Sequence, residues 1–308
     1  MSKKKYAIKF LCLLVIFIIS DIMIGTGLQF FYFRQKQGKL YNLTYTLEQQ
    51  TADILILGSS RAIHHYNPAI ISDSLQMSCF NAGLDGQSIL YHKALLDVVT
   101  GRYNPKVIIL DVNTYELDVN EHAYDLLSML NPYVNRHPVL WKTVAMKSPF
   151  EKIKHLSRIY PYNSLPARIA MGNLPFKTKD VSANGFTAQK GVLNDSLKEV
   201  AYKETPLDGN KINAFNQFLS DCSLRGIAVY VVKSPAFQYE TNNSNTISYI
   251  IAACEQQQIP FISYQNREDF ADVRLFRDPT HLNNIGADKF SSDFAHFLTL
   301  TMRYHERQ

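Results

Sequence analysis

Asp53-Ile54-Leu55-Ile56-Leu57-Gly58-Ser59-Ser60-Arg61 is the stretch that decides the architecture. Four consecutive aliphatic residues bounded by polar ones read as a strand buried on both faces, which is the pattern of a parallel sheet covered by helices on either side. The run breaks at Gly58 and delivers two serines at the strand's end. In open α/β sheets ligands bind beyond the carboxyl ends of the strands, so a hydroxyl here stands where chemistry is done.

Working outward, the same alternation continues. Apolar runs at 77–81, 107–112, 227–232 and 260–263 read as further strands, and 68–76, 86–100, 209–224, 246–257 and 285–304 as helices. In the helix over 86–100, Ile89, Leu90, Ala94, Leu95 and Val98 share one face. Strands alternating with helices predict a three-layer αβα fold around a parallel sheet. Residues 114–205 depart from this. They contain Pro132, Pro138, Pro149, Pro161, Pro166 and Pro175, the aromatics Tyr133, Trp141, Tyr160 and Tyr162, and little periodicity. A segment this long is no plain connection, and it reads as a lid or substrate platform.

Far downstream, Asp278-Pro279-Thr280-His281 puts an acid and an imidazole three residues apart in a proline turn. A serine hydroxyl becomes a nucleophile when an imidazole accepts its proton and a carboxylate orients that imidazole, so these groups suit acyl transfer. Two other post-strand segments add to them, Asn81-Ala82-Gly83 and Asp111-Val112-Asn113. Together with Gly58-Ser59-Ser60-Arg61 they resemble, in order, the blocks of the SGNH or GDSL-like hydrolase family, with the likeness running over residues 53–303. The resemblance implies a flavodoxin-like sheet and a triad of Ser60, His281 and Asp278. It further implies an oxyanion hole from the backbone N–H groups of Ser60 and Gly83 and the side-chain amide of Asn113. Two departures stand out: Ser59 occupies the position of the family's Asp, and the third block reads Asp111-Val112-Asn113-Thr114 where the family has Gly-x-Asn-Asp. The alternative for the serines and Asp278 is that they cap and turn the chain. Arg61 either reads a substrate carboxylate or phosphate or forms a structural ion pair. Lys233 ends the fourth strand on the same rim and is a candidate for lining the cleft. His64 and His65, with no acid spaced to orient them, read as surface histidines, and Phe186 as packing more than as an aromatic wall of the site.

The formal charge is +5, and Lys3, Lys4, Lys5 and Lys9 supply four of those charges. The remainder is nearly neutral, so no basic face for nucleic acid is indicated. Those lysines precede an apolar stretch from Phe10 to Phe33 that contains Asp21. Eleven Phe, Leu, Ile and Val residues between Phe10 and Ile24 contribute roughly −0.3 to −0.6 kcal/mol each, which outweighs about +2.5 to +3.5 for one aspartate. The reading is a cytoplasmic tip and transmembrane signal anchor over 1–33, a polar linker over 34–51 and the hydrolase-like domain over 52–308. A cleaved signal peptide ending near Gly25-Thr26-Gly27 is the competing reading, and both export the domain. Cys12, Cys79, Cys222 and Cys254 suggest no disulfide framework, and no Cys/His spacing reads as a metal site.

The expectation that follows is an exported, membrane-tethered serine esterase without cofactor, removing O-acyl groups, above all acetyl, from a cell-envelope or extracellular glycan. The alternatives are an acyltransferase working with envelope polysaccharide machinery, in which a glycan hydroxyl resolves the acyl-enzyme, and a glycan-binding or assembly subunit with a disused site.

Overall fold

The computed structural model describes residues 3–174 and 184–305. The chain divides into two compact units, residues 1–44 with 127–178 and residues 45–126 with 179–308. The expected platform is therefore split. Its centre belongs with the N-terminus and its flanks with the sheet, while Pro175 lies outside the described residues.

In the first unit, helix α1 (Lys3–Tyr32) is long and apolar enough to cross a membrane. Its large apolar side chains from Tyr6 to Ile24 are exposed. From Asp21 onward one flank is covered by chain from the 127–174 region. The Asp21 carboxylate accepts hydrogen bonds from Ser157 Oγ at 2.5 Å and from the N–H groups of Arg158 at 2.7 Å and Ile159 at 3.3 Å. One turn on, Gly25 meets the Arg158 backbone, where an added Cβ would lie 2.4 Å from the carbonyl carbon. Tyr32 is fully buried, its hydroxyl donating to Tyr133 Oη at 3.0 Å and its ring lying against Tyr162.

Helix α2 (Gly38–Glu48) forms where a polar linker was expected, because Leu40, Leu43 and Leu47 fall on one helical stripe and are all buried. The 127–174 region consists of helical pieces of one or two turns, among them Leu127–Tyr133, Trp141–Val144, Glu151–Lys154 and Pro166–Asn173. Such pieces are too short to display a 3.6-residue period, and Pro138 and Pro166 open two of them at the position where a missing N–H costs nothing.

The second unit is built on a five-stranded, all-parallel sheet of β1 (Ile54–Leu57), β2 (Cys79–Asn81), β3 (Val107–Asp111), β4 (Ala228–Lys233) and β5 (Phe261–Ser263), in the order β2-β1-β3-β4-β5. Every residue of β1 and β3 is buried. Successive side chains take opposite faces. Ile54, Ile56, Val107, Ile109, Tyr230 and Val232 share one core with Tyr66, Phe290 and Phe294, and the intervening residues turn to the other layer. The helices are α3 (Ser60–His65), α4 (Pro68–Leu75), α5 (Ile89–Thr100), α6 (Gly209–Leu224), α7 (Asn245–Gln256) and α8 (Asn284–His305). Helix α8 packs on α3 and α4, and α6 packs on α5. Among the described residues two short ladders lie outside the main sheet, and one of them, Phe276–Asp278 paired antiparallel with His281–Leu282, carries the proline turn.

Candidate active site

Ser60 stands at the first position of α3, where backbone N–H groups have no intrahelical acceptor. The turn that puts it there needs a glycine. Gly58 has φ +144°, and a Cβ on it would lie 2.7 Å from Asp111 O and 2.8 Å from Ala62 Cβ. Ser59, at the N-cap position, makes no side-chain capping bond, so capping does not account for the serine pair.

Ser60 Oγ lies 2.8 Å from His281 Nε2, across 221 residues of sequence. His281 Nδ1 lies 2.9 Å from each oxygen of the Asp278 carboxylate. A carboxylate only accepts, so Nδ1 carries the proton and Nε2 is left to accept from Ser60. Burial alone would raise the Asp278 pKa. The backbone N–H of Thr280 and the His281 side chain outweigh it and hold the carboxyl below its usual range. Asp278 Oδ1 also accepts from Thr280 Oγ1 at 3.0 Å and from the His281 N–H at 3.0 Å. The acid is thus fixed by its own turn.

Asn113 follows β3 and lines the same cleft as Ser60 and His281, a space of about 280 Å³. Its amide is held from both ends: Oδ1 accepts from the Tyr115 N–H at 2.9 Å and Nδ2 donates to Glu116 Oε2 at 2.5 Å. One amide hydrogen remains for the cleft. Glu116 is buried, and burial, opposed by the charge of Lys211, pushes its carboxyl up to about 7.

Gly83 does not stand with these groups. Its N–H donates to Asn81 Oδ1 at 3.0 Å and it is not part of the cleft lining, which corrects its expected place among the oxyanion donors. What requires a glycine there is packing, since an added Cβ would lie 2.7 Å from the Ile63 nitrogen. The neighbouring Asn81, unnoticed in the sequence as more than a block marker, donates to Ala62 O at 2.7 Å and Tyr66 O at 3.0 Å and so ties down the end of α3.

Arg61 is 7% exposed and donates to Val112 O at 3.0 Å and Ser234 O at 3.3 Å, with Nε 3.8 Å from Asp111 Oδ1. These contacts are those of the structural reading, and Arg61 also lines the cleft beside Ser60, so both of its readings stand. Lys233 is buried with Glu240 as its carboxylate partner and is absent from the cleft lining, so the expectation that it lines the site is corrected. Phe186 lies in the apolar core.

His64 and His65 are not surface residues, and this too corrects the sequence reading. Both are buried and their rings meet that of His281 edge-on, with centroids 5.7 and 6.2 Å away. His65 Nε2 accepts from the Leu282 N–H at 3.1 Å, and Nδ1 therefore donates to Ser234 Oγ at 2.9 Å. Burial, reinforced by Arg61, drives its pKa well below the ordinary value and keeps it neutral. His65 thereby anchors the residue next to His281. The signal for this role is weak in sequence, because its partner is a backbone N–H contributed from residue 282.

Further along the cleft, Tyr115 and Tyr202 meet edge to face at 5.7 Å, with Val200 and Gln238 beside them. Residues 114–126 and 184–205, the flanks of the expected platform, thus supply part of the wall.

No family model matches the chain, and no curated protein matches its sequence. Among solved structures, the chain is similar to one from Desulfitobacterium hafniense DCB-2 described as a "putative lipolytic protein of G-D-S-L family", with 9% identity and a TM-score of 0.40 over 79% of this chain and 97% of that one.

Proposed function

We propose that this protein is a serine esterase of the SGNH type, exported and held to the membrane by α1, that removes O-acyl groups, most simply acetyl, from a cell-envelope glycan. The observation that carries the reading is the unbroken path from Ser60 Oγ through the His281 ring to the Asp278 carboxylate, at 2.8 and 2.9 Å. Ser60 Oγ attacks the ester carbonyl carbon as its proton passes to His281 Nε2. Asp278 holds the Nδ1–H and stabilises the imidazolium. The oxyanion takes the Ser60 N–H and the free amide hydrogen of Asn113, two donors fixed in advance by α3 and by Glu116. His281 then hands the proton to the leaving alcohol. Water, deprotonated by the same ring, attacks the acyl-enzyme, and Ser60 is regenerated as the acid leaves. Tyr115 and Tyr202 give the cleft an aromatic edge suited to a sugar ring, which supports the glycan assignment.

The test uses the full chain in detergent with a fluorophosphonate probe and a short-chain acetyl ester. The parent and Ser59→Ala should label and turn over. Ser60→Ala and His281→Ala should each lose a factor on the order of a thousand or more, with the double variant little worse than either. Labelling that survives Ser60→Ala refutes the assignment, and a parent that neither labels nor hydrolyses points to a binding subunit.

A further inference from the structure

The geometry points to a second membrane contact, in which residues 146–156 lie in the same lipid leaflet that α1 traverses. It rests on reading α1 as a membrane span. If the hydrocarbon begins near Tyr6, just past the lysines, a core of about 30 Å takes roughly 20 helical residues and ends near Gly25. Asp21 then sits inside that boundary by about one helical turn. Its carboxylate accepts from Ser157, Arg158 and Ile159 at 2.5–3.3 Å, and the Gly25 contact with Arg158 fixes the same loop one turn further out. Residues 157–159 are therefore at the depth of Asp21, and the residues just before them cannot be far from it.

Those residues are apolar on one side. Phe150, Ile153 and Leu156, three apart along the short helix Glu151–Lys154 and its flanks, are 61, 63 and 81% exposed, as the apolar side chains of α1 from Tyr6 to Ile24 are exposed. Around them lie Lys147, Lys152, Lys154 and Arg158, while the one acidic residue of the stretch, Glu151, is buried and engaged by Lys154 at 2.7 Å and the Tyr160 hydroxyl at 2.7 Å. An apolar edge rimmed by cations, beside a helix already in lipid, fits a bilayer surface with anionic headgroups. Asp21 acquires a purpose in this arrangement: it is the latch that sets the depth of the wedge.

The experiment uses the full chain with Cys12→Ser, which removes the one exposed thiol. Single cysteines replace Leu156, Phe150, Phe17 and Leu224 in turn, each carrying an environment-sensitive fluorophore. The proteins are reconstituted in vesicles of phosphatidylcholine and phosphatidylglycerol, with and without acyl-chain nitroxide lipids. Labels at 156 and 150 should emit at shorter wavelength than the label at 224, which is 83% exposed on the other unit, and should lose intensity to the nitroxides as the label at 17 does. The inference is overturned if 17 is quenched while 156 and 150 behave like 224. It is also overturned if 156 is blue-shifted without nitroxide quenching and reverts on dilution, which would assign this face to a second copy of the chain. An unquenched label at 17 removes the span itself and leaves the esterase reading untouched.

Discussion

Glu116 should matter to turnover only through Asn113, and a double-mutant cycle measures that dependence. Asn113 presents one amide hydrogen to the cleft because its oxygen is occupied by the Tyr115 N–H and its other hydrogen by Glu116 Oε2 at 2.5 Å. Asn113→Ala deletes an oxyanion donor, which costs about a hundred- to a thousandfold in kcat with KM little changed. Glu116→Ala leaves the donor in place but removes one of its two tethers. A hydrogen bond is worth about 0.5–1.5 kcal/mol to a neutral acceptor and about 1.5–3 kcal/mol to a charged one, and a Glu116 carboxyl pushed up to about 7 is only partly ionised at neutral pH, so the loss in kcat is bounded at roughly a hundredfold. Glu116→Gln keeps an acceptor of the same shape and should recover most of it. In the Asn113→Ala background, Glu116→Ala should cost almost nothing further. The assay is kcat and KM on a chromogenic acetyl ester for the four corners of the cycle, alongside a denaturation midpoint for each. Losses that multiply would mean that Glu116 acts on the protein generally, and the account of Asn113 given above would be wrong.

Two further expectations concern stability. His92 is 1% exposed with neither ring nitrogen hydrogen-bonded, and burial pushes its pKa down to about 3. Because the folded-state value lies below the unfolded one of 6.5, the unfolded chain takes up the proton first as pH falls, and stability is lost below about pH 6.5 at about 1.4 kcal/mol per unit. Urea unfolding at pH 7 and pH 5 should show the parent losing about 2 kcal/mol more than His92→Leu, and parallel losses would refute this. Gly58→Ala should destabilise the fold by about 2–5 kcal/mol, from the positive φ and from a Cβ forced on Asp111 and Ala62. An unchanged thermal midpoint would contradict that strain.

The sheet was legible because its inner strands β1 and β3 are fully buried apolar runs, β4 is nearly so, and each run ends in residues that stop it; the edge strand β5 is only half-buried. Most of the helices that cover it announced themselves by period, their ends moving by a residue or a few, as with α5, which opens at Ile89 and not at 86; α3, six residues long, is too short to show a period and was not expected. Ser60, Gly83 and Asn113 were expected on one rim because strand ends in a parallel sheet share a side, and Ser60 and Asn113 do share the cleft; the Asp278–His281 turn, carried by an antiparallel ladder outside that sheet, was joined to them by the resemblance alone. What sequence could not supply was the direction of backbone groups. The Gly83 N–H looks as available as any other until Asn81 folds back on it, and His65 looks solvent-exposed until Leu282 arrives from 217 residues away. Helix α2 was hidden for another reason: three leucines among polar residues carry a weak moment, and their stripe is buried only by tertiary structure.

The interleaving of the two units sets the limits of truncation. Tyr32, buried against Tyr133 and Tyr162, belongs to a core whose other half is encoded beyond residue 127. Trimming the chain to begin near residue 40, as one would to obtain a soluble catalytic fragment, would strip that core of its central helix and leave Tyr133 and Tyr162 facing water. A fragment that keeps the sheet intact should instead lose both pieces, the N-terminal helix and 127–174 together, with a short linker joining Leu126 to the chain beyond. The same arithmetic governs biosynthesis: at about 5–20 residues per second, the ribosome needs several seconds to supply the partners of a helix it made first.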